Sequence, residues 1–150
     1  MHNGPKVVIY KDKPGRNDAN TNQACAALQW SQSMTGEIAL FVGFGSGRIM
    51  SFVYNNSDGS FSQSSAVSIG VPVQCLVSAS DFVLVGCADG GLRLLPLVTG
   101  SKFHQGQRPT LWNNVHGSQE RGKRSASITC CSLIPTRNNT WLGTTGAEDG

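Results

Sequence analysis

The sequence predicts an all-β protein built from repeated antiparallel hairpins, and three observations carry that prediction. Glycine occupies 18 of 150 positions while charged residues make up only 14%, a balance suited to short strands and tight turns rather than helices. Apolar runs end three times in the frame Gly-x-x-Asp/Ser-Gly, at Gly43 to Gly47, Gly86 to Gly90 and Gly146 to Gly150. The closing glycines stand 43 and 60 residues apart, so a unit of about 43 residues with one insertion of about 17 accounts for the spacing. Periods of that length mark stacked repeat architectures.

Residues 1–23 read as an N-terminal strand, Val7 to Tyr10, followed by a polar loop rich in turn residues. Residues 24–150 read as repeat units over 24–69, 70–112 and 127–150. In the first, Ala24 to Trp30 is a small, apolar inner strand, Ile38 to Phe44 a second, and Arg48 to Tyr54 returns after the Gly-Ser-Gly turn. Ser60 to Ile69 alternates polar and apolar residues from Ser65 onward, as a solvated outer strand does. The second unit repeats the order with Val73 to Ser78, Phe82 to Cys87, Leu92 to Leu97 and, as its fourth strand, Thr110 to Trp112. The third opens with Ser127 to Leu133, crosses Pro135 to Asn139 as a loop and climbs through Trp141-Leu142 to its own turn. The second strands are continuously apolar, which suits burial on both faces.

Tight hairpins need positive φ at one or two positions, which glycine accepts without a Cβ clash and aspartate tolerates better than most residues. Gly47, Asp89, Gly90, Asp149 and Gly150 are therefore structural turn residues. Units of this kind are expected to pack as β-propeller blades, each an antiparallel four-stranded sheet. Propellers close with about 4 to 8 blades, so three partial units predict an incomplete ring and part of a longer chain.

The run Val83-Leu84-Val85-Gly86-Cys87-Ala88-Asp89-Gly90-Gly91-Leu92-Arg93-Leu94-Leu95 resembles the second and third strands of WD-repeat β-propellers around their aspartate turn. Ile38 to Phe52 is similar, with Ser46 at the aspartate position, and Thr144 to Gly150 again. Phe52 and Leu95 stand where the family's tryptophan closes the third strand, and Gly70-Val71 where its Gly-His pair stands. The resemblance implies a binding scaffold whose hydrogen-bonded turn network is incomplete.

Chemistry-bearing patterns are sparse. His2, His104 and His116 lie in expected loops without a second ligand at short spacing. Cys25, Cys75, Cys87, Cys130 and Cys131 form neither Cys-x-x-Cys pairs nor zinc spacings, and read as small buried hydrophobes of a reducing compartment. There is no nucleophile elbow and no phosphate loop, and Glu148 and Asp149 are adjacent rather than facing. No catalytic residue, cofactor or metal site is expected. Neither a signal peptide nor a membrane-spanning run is read, which predicts an intracellular protein, cytoplasmic or nuclear, without a membrane partner.

One segment exceeds structural need. Between Ser101 and Ser127, Lys102, Arg108, Arg121, Lys123 and Arg124 face only Glu120, a local charge of +4 against +3 for the whole chain. This basic insertion, 101–127, is expected as a loop on a blade rim, where partner contacts concentrate. Its cations suit an acidic protein surface or a nucleic-acid backbone, without interleaved aromatics for base stacking. Arg121 and Arg124 also place Ser125 and Ser127 at spacings familiar from basic-directed kinase substrates. The expected function is noncatalytic protein–protein interaction in assembly of a multiprotein complex; the alternative is a ribonucleoprotein or nucleic-acid-associated propeller that grips phosphates through the insertion.

Overall fold

The computed structural model describes residues 25–113, 115–116, 126–137 and 140–148. These residues form eleven strands in three antiparallel sheets and no α-helix. The first sheet holds β1 (Cys25–Gln32), β2 (Ile38–Phe44), β3 (Arg48–Asn55) and β4 (Ser60–Ser68), side by side in chain order. The second runs β5 (Val73–Ser78), β6 (Phe82–Cys87), β7 (Leu92–Thr99) and β8 (Lys102–Phe103), and β9 (Thr110–Trp112) also pairs with β7. The third is the hairpin of β10 (Ile128–Pro135) and β11 (Trp141–Ala147).

Each sheet grows outward by hairpins because its turns are chemically specified. Gly47 and Gly90 have φ of 82° and 74°, and their amides donate to Phe44 O at 2.9 Å and Cys87 O at 3.1 Å. These two expected turn glycines are where the sequence places them; Asp149 and Gly150, like Val7 to Tyr10, lie outside the described residues. The first glycine of each frame has a different task. A Cβ on Gly43 would lie 2.5 Å from Val73 Cγ1, and one on Gly86 would lie 2.7 Å from Ile128 Cγ2. Each is a notch in a second strand that admits the opening residue of the next sheet. The opening strands share a further detail, a β-bulge between Cys25 and Ala27, Val73 and Cys75, and Ile128 and Cys130. A bulge bends its strand and re-aims the residues beside it, and here it falls at the same register in each opening strand.

The main core lies between the first two sheets, where Phe41 and Ile49 meet Val73, Leu76, Val83 and Val85. The Phe41 and Phe103 rings are 5.7 Å apart and tilted. Ser51, fully buried, donates to Ser101 O at 2.5 Å, so the hydroxyl carried into this joint is satisfied by the neighbouring sheet. A smaller cluster of Val42, Phe44, Met50 and Phe52 lies on the opposite face of the first sheet. The third sheet is joined through β10 against β5 and β6, with Ile128 fully buried.

Several expectations are corrected. The opening strand β1 stands first in its sheet, but its apolar residues are not all buried: Leu28 is 61% and Trp30 56% accessible. The second sheet has five strands, not four, since two-residue β8 forms at the start of the basic insertion and shares β7 with β9. The insertion is thus only partly loop. Pro135 ends β10 instead of opening the loop. Burial of second strands holds for β2 and β6 but not for β11, whose first four residues are exposed. The cysteines also divide: Cys87 is buried, whereas Cys25 and Cys130 are exposed.

Candidate interaction surface

Two clefts lie where the sheets meet. The first lies at the tips of the β1–β2, β5–β6 and β7–β8 hairpins and has a volume of about 540 Å³. Lys102 lines it together with Glu37 and Asp81. The predicted cation therefore sits in a mixed-charge setting, which is a poor cradle for phosphate. Glu37 Oε1 is buried without a hydrogen-bond partner among the described residues. Arg108 is exposed on the connector between β8 and β9, away from that cleft. Lys102 and Arg108 are therefore not brought together; Arg121, Lys123 and Arg124 lie outside the described residues. Ser125 is likewise outside them. Ser127 is only 8% accessible, and its carbonyl accepts from the Glu148 amide at 3.2 Å; in the folded chain it is packed, not presented to a kinase.

The second cleft, about 520 Å³, opens between the second and third sheets. Leu84 on β6, Leu92 and Leu94 on β7, Trp112 on β9, and Trp141 and Gly143 on β11 line it. Its walls are β6, β7 and β9 of the second sheet and β10 and β11 of the third. Trp112 and Trp141 are 44% and 38% exposed, and Trp141 meets Phe82 edge-on with centroids 6.1 Å apart. Half-exposed tryptophans above an aliphatic floor supply large apolar area at small entropic cost, the composition of interface anchors. His116 Nε2 and Thr145 Oγ1, 2.6 Å apart, tie the chain beyond β9 to β11. The sequence named Trp112 only as a strand residue; the cleft needs the packing angle of two sheets, which no local pattern encodes.

The aspartate turn is held by its own hydrogen bonds. Asp89 Oδ1 accepts from the Gly91 amide at 2.9 Å, and the Arg93 guanidinium donates to Oδ1 at 3.1 Å and Oδ2 at 2.7 Å. The guanidinium, chiefly through its hydrogen bonds, holds the Asp89 carboxyl below the usual carboxylate range. A Cβ on Gly91 would lie 2.8 Å from an Arg93 nitrogen and 2.9 Å from Asp89 Oδ1, so any side chain there would shift the ends of this ion pair. Four thiols gather near the second joint. Cys75 Sγ donates to Ile128 O at 3.8 Å, and its interaction with the Cys131 thiol on the facing strand lowers the Cys75 thiol and, with burial, raises Cys131. Cys87 is pushed up to about 11 by burial. Among the described residues no group of three or more His, Cys, Asp or Glu is placed to hold a metal ion, and no helix is long and apolar enough to cross a membrane.

No known protein-family model matches the chain, and no curated protein shows significant similarity to it.

Proposed function

We propose that the protein is a noncatalytic protein–protein interaction scaffold for a multiprotein assembly inside the cell, its sheets stacked as blades in the manner of the WD-repeat propellers that its turns resemble. The observation that carries this reading is the apolar cleft between the second and third sheets, with Trp112 and Trp141 at its mouth. Its side chains are preformed on packed sheets, so a partner docking there orders little on this side of the interface. Among the described residues no cation lines it, which favours a protein partner over a phosphate backbone at this site.

The immobilised protein is expected to retain a protein partner at high as well as low salt, and to lose it on combining Trp112→Ala with Trp141→Ala. Retention of nucleic acid that falls steeply with salt, and disappears when Arg121, Lys123 and Arg124 are changed to Gln, would replace this reading with the phosphate-binding one.

A further inference from the structure

The two joints between sheets share one plan, and the second departs from it in its sulfur. Ala27 stands opposite Gly43, Cys75 opposite Gly86 and Cys130 opposite Gly146, so the residues that follow, Leu28, Leu76 and Cys131, hold equivalent places. In the first joint Leu76 reaches over the notch, its Cδ1 3.2 Å from where a Cβ on Gly43 would stand, and Ala27 packs against the same core. The equivalent pair in the second joint is Cys131 and Cys75. Where one joint places a leucine and an alanine, the other places two thiols, one from each sheet.

The bulges aim both side chains into that joint. Plain alternation would put Ile128 and Cys131 on opposite faces of β10; the extra residue of the bulge puts them on one. Ile128, Cys131 and Leu133 are accordingly the less accessible positions of β10, while Thr129, Cys130, Ser132 and Ile134 are exposed. In β5, Val73 and Leu76 belong to the first joint, and Cys75 faces the other way. Its Sγ donates to Ile128 O at 3.8 Å and would collide with a Cβ on Gly86. Cys131 lowers the Cys75 thiol, Cys75 and burial raise that of Cys131, and the Gly86 amide lies beside both sulfurs. Both are free, half-buried thiols. Their neighbours are aimed elsewhere: Cys87 belongs to the core of the first joint, and Cys130 Sγ lies 2.7 Å from where a Cβ on Gly146 would stand.

We propose that Cys75 and Cys131 form a redox clasp, which closes as a disulfide across the second joint under a hydroperoxide and reopens under a dithiol reductant. The clasp does not depend on what the cleft binds. The Cys75 thiolate attacks one oxygen of hydrogen peroxide and the O–O bond breaks, leaving Cys75 as a sulfenic acid. The departing hydroxide takes up the proton that Cys75 released and becomes water. The Cys131 sulfur then attacks the Cys75 sulfur, the S–O bond breaks, and the leaving hydroxide carries off the Cys131 proton as a second water. Two electrons pass from the two sulfurs to the peroxide, and thiol–disulfide exchange returns them. In a reducing compartment such a pair is a transient sensor rather than a permanent staple. Its closure ties β10 to β5 beside the Ile128 anchor, so the third sheet opens less readily.

The test treats the purified protein with a small excess of hydrogen peroxide, blocks the remaining thiols and maps the unreduced digest by mass spectrometry. An intrachain Cys75–Cys131 link is expected, formed equally in Cys130→Ser and reversed by dithiothreitol. Cys131→Ser is expected to leave Cys75 as a sulfenic acid that dimedone captures. Closing the link is expected to slow amide exchange across β10 and β11 by about tenfold or more while β2 and β3 keep their rates. The proposal is overturned if Cys75 forms no link, links to Cys130 or to a second molecule, or proceeds to the sulfinic acid alone. A link that leaves exchange in β10 and β11 at the reduced rate overturns it as well. Mapping of the wild type and of Cys130→Ser, a change at an exposed site, decides the matter even if Cys131→Ser does not fold.

Discussion

Asp89 stands at the corner between β6 and β7 with both carboxylate oxygens on the Arg93 guanidinium. The pair is partly exposed, so it contributes little to stability, and Asp89→Ala is expected to cost about 1 kcal/mol once the lost Gly91 hydrogen bond is included. Because the folded carboxyl titrates below its unfolded value, this contribution is complete above the ordinary carboxylate range and is lost as pH falls through the folded pKa. Urea unfolding should therefore separate wild type from Asp89→Ala at neutral pH and bring them together in strong acid. The Cys75–Cys131 pair provides a second residue-scale prediction. The neighbouring Cys131 thiol favours the Cys75 thiolate, and the thiolate is the nucleophile. Cys75 is expected to alkylate ahead of Cys131 and Cys87, and Cys131→Ala to move its alkylation profile to higher pH, as followed by peptide mass spectrometry. Equal rates for Cys75 and Cys131 would show that the two thiols do not interact.

At the scale of elements, the joints between sheets depend on side chains that are absent. Gly43→Ala would place a methyl 2.5 Å from Val73 Cγ1, and such overpacking costs about 1–3 kcal/mol. Val73→Ala is expected to offset part of that cost in a double-mutant cycle; additive losses would mean that the strain lies elsewhere. This role was not legible in the sequence. The frame identified Gly43 and Gly86 only as turn punctuation, because close approach is a relation to a residue in another sheet. Strand positions were legible, since β2, β5 and β6 follow apolar runs bounded by turn residues and need no long-range information. Two-residue β8 has no such local signal, because its pairing with β7 depends on where the chain returns after Thr99. The basic segment was conspicuous as charge, yet Lys102 is drawn into a cleft with Glu37 and Asp81. The apolar cleft gave no sequence signal beyond its tryptophans, for it depends on how two sheets pack against each other.

For the whole molecule, the two joints are unequal. The first unites two broad sheets around a continuous cluster from Ala39 to Phe103 and adds the buried Ser51–Ser101 hydrogen bond. The second rests chiefly on β10, with Ile128 as its fully buried anchor and the Trp141–Phe82 contact beside it, while β11 is otherwise largely exposed. Local stability follows buried apolar contact, so the third sheet should open at lower free energy than the rest. Amide exchange is expected to be slowest in β2, β3 and β6 and fastest in β11. Ile128→Ala removes the side chain that fills the Gly86 notch, a loss of about 2–5 kcal/mol at a buried aliphatic site. Because that side chain lies in the second joint only, the variant should accelerate exchange across β10 and β11 while leaving β2 and β3 at their wild-type rates. Uniform acceleration through all three sheets would instead mean that they unfold as one cooperative unit, with the second joint as tightly coupled as the first.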